Sequence, residues 1–198
     1  AKRQAGGKAA WALPLKIASH GVFGLLALRS LAAMKRLRPL GQRFATALGL
    51  PLLEGDDFHS EENVRKMRNG LPLDDSDRAG WLVRLGQELQ ATVQSGERPI
   101  LTCSALKRRY RETLRASMPG LAFVFLELTP AEAEKRVLAR PGHFMPASLI
   151  DSQFAALESP RGEPRTLPLD ATQAIDALAE TVDTWLKPCG ESALARTA

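Results

Sequence analysis

The chain has 198 residues, of which 44% are hydrophobic and 25% charged, with a net charge of +5 and two cysteines. These values suit one globular domain with a sizeable core and exclude a disulfide-stapled scaffold. Nine of the 27 Lys/Arg and none of the 22 acids fall in residues 1–53, so the basic average belongs to one end and does not argue for a nucleic-acid-binding domain.

Residues 17–33, IASHGVFGLLALRSLAA, are apolar but interrupted by His20 and Arg29. The run is too short and too polar for a spanning helix. An acid-free, Lys/Arg-rich start reads either as a targeting peptide or as an unstructured leader. The chain divides into a basic leader (1–38), an α/β domain (39–187) and a tail (188–198).

From about residue 40, helices and strands alternate. Residues 40–48 form a helix that Gly49 stops. Residues 50–53 form a buried strand leading into Glu54-Gly55-Asp56-Asp57. Ser60 caps a short helix with Glu61 and Glu62 in its first turn, where the helix dipole favours acids. In residues 81–93, Leu82, Leu85, Leu89 and Val93 share one stripe of an amphipathic helix. Residues 99–103 form the next strand, followed by a basic helix with Leu106, Tyr110 and Leu114 at i, i+4 and i+8.

The apolar run 121–128 reads as a strand buried on both faces. Thr129-Pro130-Ala131-Glu132 is a capping box that opens a helix to about residue 139. Residues 149–157 are helical and RTLPLD is the last strand. Asp170 caps a closing helix whose inner face holds Ile175, Leu178, Val182 and Trp185. Strands separated by helices predict a parallel sheet with helices on both faces, and ligands at the carboxyl ends of its strands.

Three polar clusters fall near such ends. Asp56, Asp57 and His59 follow one strand, with Arg65 and Lys66 a helix later. Carboxylates there can accept hydrogen bonds from an acceptor's hydroxyls or take a proton; the plainer alternative is a capping Asp and a surface His. In CSALKRRYR, the small turn Cys103-Ser104-Ala105 admits a ligand to the backbone, and Lys107, Arg108 and Arg111 bring positive charge. The alternative is a solvated basic face. Cys103 reads as a buried small residue rather than a nucleophile.

In EKRVLARPGHF, Arg136 and Arg140 lie four apart and could grip phosphates, or pair with Glu132 or Glu134. Taken together the clusters fit phosphoryl transfer to a polar acceptor. No Cys/His metal spacing, nucleophile elbow or dinucleotide fingerprint is present.

The stretches GDDFH (55–59), NVRKMRNGLPLDDSDR (63–78) with Trp81, CSALKRRYR (103–111) and GHFMPASLIDSQFAALE (142–158) carry a resemblance to the gluconate kinases. These are small P-loop carbohydrate kinases related in fold to shikimate and nucleoside monophosphate kinases. The resemblance spans roughly residues 40–187. It implies a P-loop kinase-like three-layer α/β sandwich that phosphorylates D-gluconate to 6-phosphogluconate with ATP and Mg2+. It further implies a cytoplasmic enzyme with a small-molecule substrate and no nucleic-acid or membrane partner; a homodimer is left open.

Position by position, the resemblance makes Asp56 the residue that orients the 6-hydroxyl or accepts its proton, and puts His59 in the acceptor site. Lys66, Asp75 and Arg78 wall the sugar acid, with Arg78 partnering its carboxylate, and Lys107 and Arg111 lie on the acceptor side. Arg136 and Arg140 serve catalysis and nucleotide binding at the start of a lid that residues 142–153 complete.

One family feature is missing. The loop G-x-x-x-x-G-K-S/T, expected near residues 31–38, is replaced by LAAMKRLR, which has no glycine. Lys35, Arg36 and Arg38 supply charge but not the backbone N–H cradle that glycines allow. Residues 22–28 could stand in for the strand before the loop, although Gly24 and the lack of alternation weigh against it. The first strand and the P-loop are therefore expected to be atypical or missing. A start or sequence error upstream of Leu40, loss of the loop and another ATP-binding geometry remain open. So do two rival functions: a binding protein that does not transfer phosphate, and a kinase for another acceptor such as shikimate or a nucleotide.

Overall fold

The computed structural model describes residues 25–28, 41–46, 49–138 and 147–186. The strands β1 (Leu25–Leu28), β2 (Leu52–Glu54), β3 (Ile100–Thr102), β4 (Ala122–Glu127) and β5 (Thr166–Asp170) form one sheet in the order β2-β3-β1-β4-β5. Every pairing is parallel. Between them run α1 (described over 41–46), α2 (Glu61–Arg68), α3 (Asp75–Gln94), α4 (Arg108–Ser117), α5 (Pro130–Leu138), α6 (Ala147–Ala156) and α7 (Ile175–Leu186). A short 3-10 turn occupies Gly55–Phe58.

The first strand is present and central, which corrects the expectation that it might be missing. Leu26 of β1 pairs with Leu101 on one side and Phe123 on the other. A parallel strand covered by helices on both faces has no reason to alternate, so the lack of period two in residues 22–28 was no argument against it. The sheet thus begins inside residues 1–38 rather than at residue 39.

The run in β4 shows the same rule in detail. Its side chains point alternately to the two faces. Val124 and Leu126 enter a core with Phe44, Leu178 and Val182, while Phe123 and Phe125 enter a second core with Trp81, Leu85, Leu89 and Leu114. Both faces are apolar, hence the continuous run. Gly41 lets α1 lie against β2 and β3: a Cβ there would sit 2.7 Å from Thr102 Cγ2 and 3.1 Å from Leu52 Cδ1.

Several boundaries differ from the sequence reading. The helix α3 begins six residues before Trp81. The Asp77 N–H donates to Asp74 and the Asp74 N–H donates back to Asp77, a reciprocal cap of polar residues that a search for apolar periodicity passes over. Leu106 precedes α4 instead of opening it. Asp170 does not cap α7; its Oδ1 accepts from the N–H and hydroxyl of Thr172, fixing the turn after β5. Ser60 and Thr129 accept from the N–H groups of Asn63 and Glu132 as expected.

Candidate functional site

The carboxyl ends of β2 and β3 are bound together by the Thr102 hydroxyl, which donates to Glu54 Oε2 at 2.5 Å. Gly55 then lays the 3-10 turn directly on the exit of β3. A Cβ at Gly55 would come within 2.5 Å of the Thr102 carbonyl oxygen and 2.8 Å of Cys103 Cβ. The freed Gly55 carbonyl accepts from Trp81 Nε1 at 2.7 Å, so α3 is pinned to the same point. His59 stacks on Trp81 with ring centroids 4.5 Å apart. Burial, helped by the charge of Arg78, pushes the His59 pKa down to about 4, so the imidazole is neutral at pH 7.

Beside this corner lies a cavity of about 180 Å³. The connection from α2 to α3, with Leu71, Pro72 and Leu73, forms one side. Asp75 and Arg78 enter from α3, Lys107 and Tyr110 from the start of α4, and Ser152 and Gln153 from α6. Arg78 is only 8% exposed. Its Nε donates to the Leu73 carbonyl at 3.4 Å and one terminal nitrogen to the Ser104 hydroxyl at 3.5 Å. A guanidinium carries five donors; these two long contacts leave most of its capacity unused. Burial lowers its pKa, and Asp56 is among the charges that act in the opposite sense.

Asp75 is the counterweight on the cavity wall. It accepts from Lys107 Nζ at 2.8 Å, from the Tyr110 hydroxyl and from Arg109. The wall therefore offers a buried cation, a held carboxylate, a lysine and a phenol within one small space. That combination can receive an anionic, hydroxyl-bearing molecule: the guanidinium takes the acid, and carboxylate and phenol take hydroxyls.

Of the residues named from sequence, Asp75, Arg78 and Lys107 line the cavity. Asp56 and His59 do not line it; they stand beside it, close enough to Arg78 to act on it electrostatically. Lys66 does not face the cavity. It pairs with Asp77 at 2.5 Å and Glu62 at 3.8 Å, tying α2 to the first turn of α3. Arg111 is fully buried, and its donors go to backbone carbonyls and Glu163 rather than to the cavity. Arg136 is a residue of α5 whose side chain lies outside the described residues, as do Arg140 and residues 142–146 of the expected lid.

Cys103 is buried, and burial pushes its thiol pKa up, which removes it as a nucleophile. Among the described residues, no group of three His, Cys, Asp or Glu could hold a metal ion.

Tyr110, Ser152 and Gln153 join the cavity without having been singled out for it. Tyr110 is the only tyrosine. It sits on the apolar stripe with Leu106 and Leu114, which hid its hydroxyl. The signal was available, since a buried tyrosine hydroxyl ordinarily finds a partner, and here the partner is Asp75. Gln153, which the resemblance puts in the lid, lines the cavity.

No protein-family model matches the chain. A gluconokinase of Gluconobacter oxydans is 43% identical over 136 residues, covering 69% of this chain and 76% of that protein. The thermosensitive gluconokinase of Escherichia coli is 38% identical over 124 residues, covering 63% and 66%. Among solved structures, a gluconokinase from Sinorhizobium meliloti superposes with a TM-score of 0.72 at 40% identity, covering 83% of this chain and 90% of that one. A sugar kinase from Janibacter reaches 0.77 at 37% identity, covering 84% and 95%. A shikimate kinase from Bacteroides thetaiotaomicron, at 19% identity and a TM-score of 0.53, shares the fold.

Proposed function

The chain belongs to the gluconokinase family, and from that premise we propose that it transfers the γ-phosphoryl group of ATP to D-gluconate, with the cavity between α3, α4 and α6 as acceptor pocket. The observation that carries this reading is Arg78, a buried guanidinium with unused donors in a small polar cavity. A carboxylate entering the cavity gains charge-assisted hydrogen bonds and relieves the cost of a buried cation without a full partner set. Lys107, paired with Asp75 at 2.8 Å, adds charge from the start of α4. Asp75, Tyr110 and Gln153 take the sugar hydroxyls.

The acid end of gluconate is thus held at Arg78, and the chain of hydroxyls runs toward the strand ends. Asp56, in the 3-10 turn, orients the 6-hydroxyl and accepts its proton as the O–P bond forms. His59, neutral and packed on Trp81, adds no second positive charge beside Arg78. Arg136 and Arg140 are assigned by the family resemblance alone to binding the phosphates and stabilising charge on the transferring group.

ATP and Mg2+ are the co-substrate and cofactor of this reading. Magnesium is usually held by one or two carboxylates, phosphates and water rather than by an all-protein cage. We place the protein in the cytoplasm, where its two cysteines stay reduced; no helix among the described residues is long and apolar enough to cross a membrane.

The deciding experiment is calorimetry with gluconate and ATP titrated separately, followed by a coupled assay for 6-phosphogluconate. Gluconate binding with turnover supports the reading. Gluconate binding with neither ATP binding nor turnover favours a binding protein without transfer. Binding of shikimate or a nucleotide in place of gluconate would overturn the acceptor assignment.

A further inference from the structure

Two walls of the acceptor cavity come from separate parts of the chain. One is the turn after β3, which supplies Leu106 and Lys107; the other is α6, which supplies Ser152, Gln153 and Ala156. The Arg111 side chain reaches both. Arg111 is 0% exposed and spends all five donors. One terminal nitrogen donates to the Ala105 and Leu106 carbonyls at 3.0 and 2.9 Å. The other donates to the Glu158 carbonyl at 3.0 Å, just past the end of α6, and to Glu163 Oε1 at 2.5 Å. Nε donates to both Glu163 oxygens, at 3.1 and 2.9 Å.

The backbone repeats the connection. The Glu158 N–H donates to the Leu106 carbonyl at 3.0 Å, and the Arg108 N–H donates to Glu158 Oε2 at 2.6 Å. Glu163, with its side chain 7% exposed, also pairs with Arg115 at 2.9 Å. Burial alone would raise its pKa; the hydrogen bonds and charges of Arg111 and Arg115 outweigh it and hold the carboxyl below its usual range. The fork geometry matters here, because an ammonium cannot reach two turn carbonyls, an α6 carbonyl and a carboxylate in one plane.

We propose that Arg111, held by Glu163, is a positioning residue that sets the distance between the Leu106–Lys107 wall and the α6 wall of the acceptor cavity, and so tunes acceptor affinity without touching the acceptor. The proposal rests on the acceptor reading above. It also explains why an arginine in the motif CSALKRRYR is buried away from the cavity.

The test is the dissociation constant for gluconate, by calorimetry, in the full chain and in Arg111→Lys and Glu163→Gln, with the number of binding-competent chains read from the stoichiometry. Arg111→Lys is expected to weaken gluconate binding at least tenfold, and Glu163→Gln three- to tenfold, with stoichiometry near one. A purely structural role would lower the stoichiometry and leave the dissociation constant of the remaining chains unchanged; that result overturns the proposal. Should Arg111→Lys fail to fold, Glu163→Gln, which keeps the shape and one acceptor oxygen, decides alone. An unmodified chain that binds no gluconate overturns the acceptor reading, and the positioning role with it. Normal binding in the unmodified chain with unchanged affinity in the variants overturns the positioning role only.

Discussion

The cavity corner and the sequence between β1 and α1 differ in the kind of chemistry their residue types allow. Around the cavity, the polar groups on offer belong to side chains: Arg78, Lys107, Asp75 and Tyr110 each contribute a charge or a hydroxyl to its lining. Across residues 31–38, where the family resemblance calls for a phosphate loop, recognition would be done by backbone N–H groups, which requires glycine, and no glycine occurs there. A side-chain site survives in any chain that keeps a few residue types in place. A backbone site depends on conformations that the residue types forbid or permit. Cations at Lys35, Arg36 and Arg38 therefore do not stand in for a loop whose function is conformational.

The sharpest way to break this contrast is Arg78→Met. It should weaken gluconate binding by roughly 10²- to 10³-fold, the size expected for losing a buried charge-assisted contact. A calorimetric titration checks it. The melting temperature should stay level or rise, because a desolvated cation with two long hydrogen bonds is replaced by an apolar chain. A large fall in melting temperature would mark Arg78 as structural.

Asp56→Asn separates chemistry from binding on the same side. Turnover should drop by about 10²-fold or more, the usual range for losing a general base, with gluconate affinity little changed. Wild-type rates would remove Asp56 from the mechanism.

Replacing residues 31–38 with a glycine-rich loop ending in Gly-Lys-Ser addresses the other side. It should tighten ATP binding on the order of tenfold, read by calorimetry, with gluconate affinity unchanged. No gain would mean that the missing glycines are not what limits nucleotide binding.

A pH series probes the corner between the two regions. His59 has a pKa of about 4 in the folded chain against 6.5 when unfolded. Between those values the unfolded chain holds more protons, so stability is full above pH 6.5 and is lost as pH falls toward 4. The loss from this group reaches at most about 3 kcal/mol. Denaturant melts of the unmodified chain and of His59→Gln should converge on acidification; parallel curves would contradict the assignment.

Gly55→Ala tests the contact between the 3-10 turn and the exit of β3. Its Cβ would meet the Thr102 carbonyl at 2.5 Å, and overpacking of this kind costs about 1–3 kcal/mol, measured as a lower denaturation midpoint.

Legibility in the sequence followed the same division. The run at 121–128 announced a strand because both faces of β4 are apolar. The sheet's central strand, Leu25–Leu28, is paired in parallel on both edges, and such a strand need not alternate. Asp75, Arg78 and Lys107, expected on the acceptor side, line the cavity. Arg111 and Lys66 were expected there as well, yet one is spent on carbonyls and Glu163 and the other on Asp77. Sequence reports a positive charge; it does not report which neighbour has already claimed it. Tyr110 shows the reverse, a residue read as core whose ring is core and whose hydroxyl is not.

The connection between α2 and α3 has one further implication. Asp77 closes the α3 cap, receives Lys66, and offers its carbonyl to the Asn63 amide at 2.8 Å, while the Leu71 N–H donates to the Lys66 carbonyl at 3.0 Å. Leu71, Pro72 and Leu73 are thereby fixed at both ends before any guest arrives. The entropy of arranging that rim is spent during folding rather than at docking. The shape of this rim is therefore set by contacts within the chain itself.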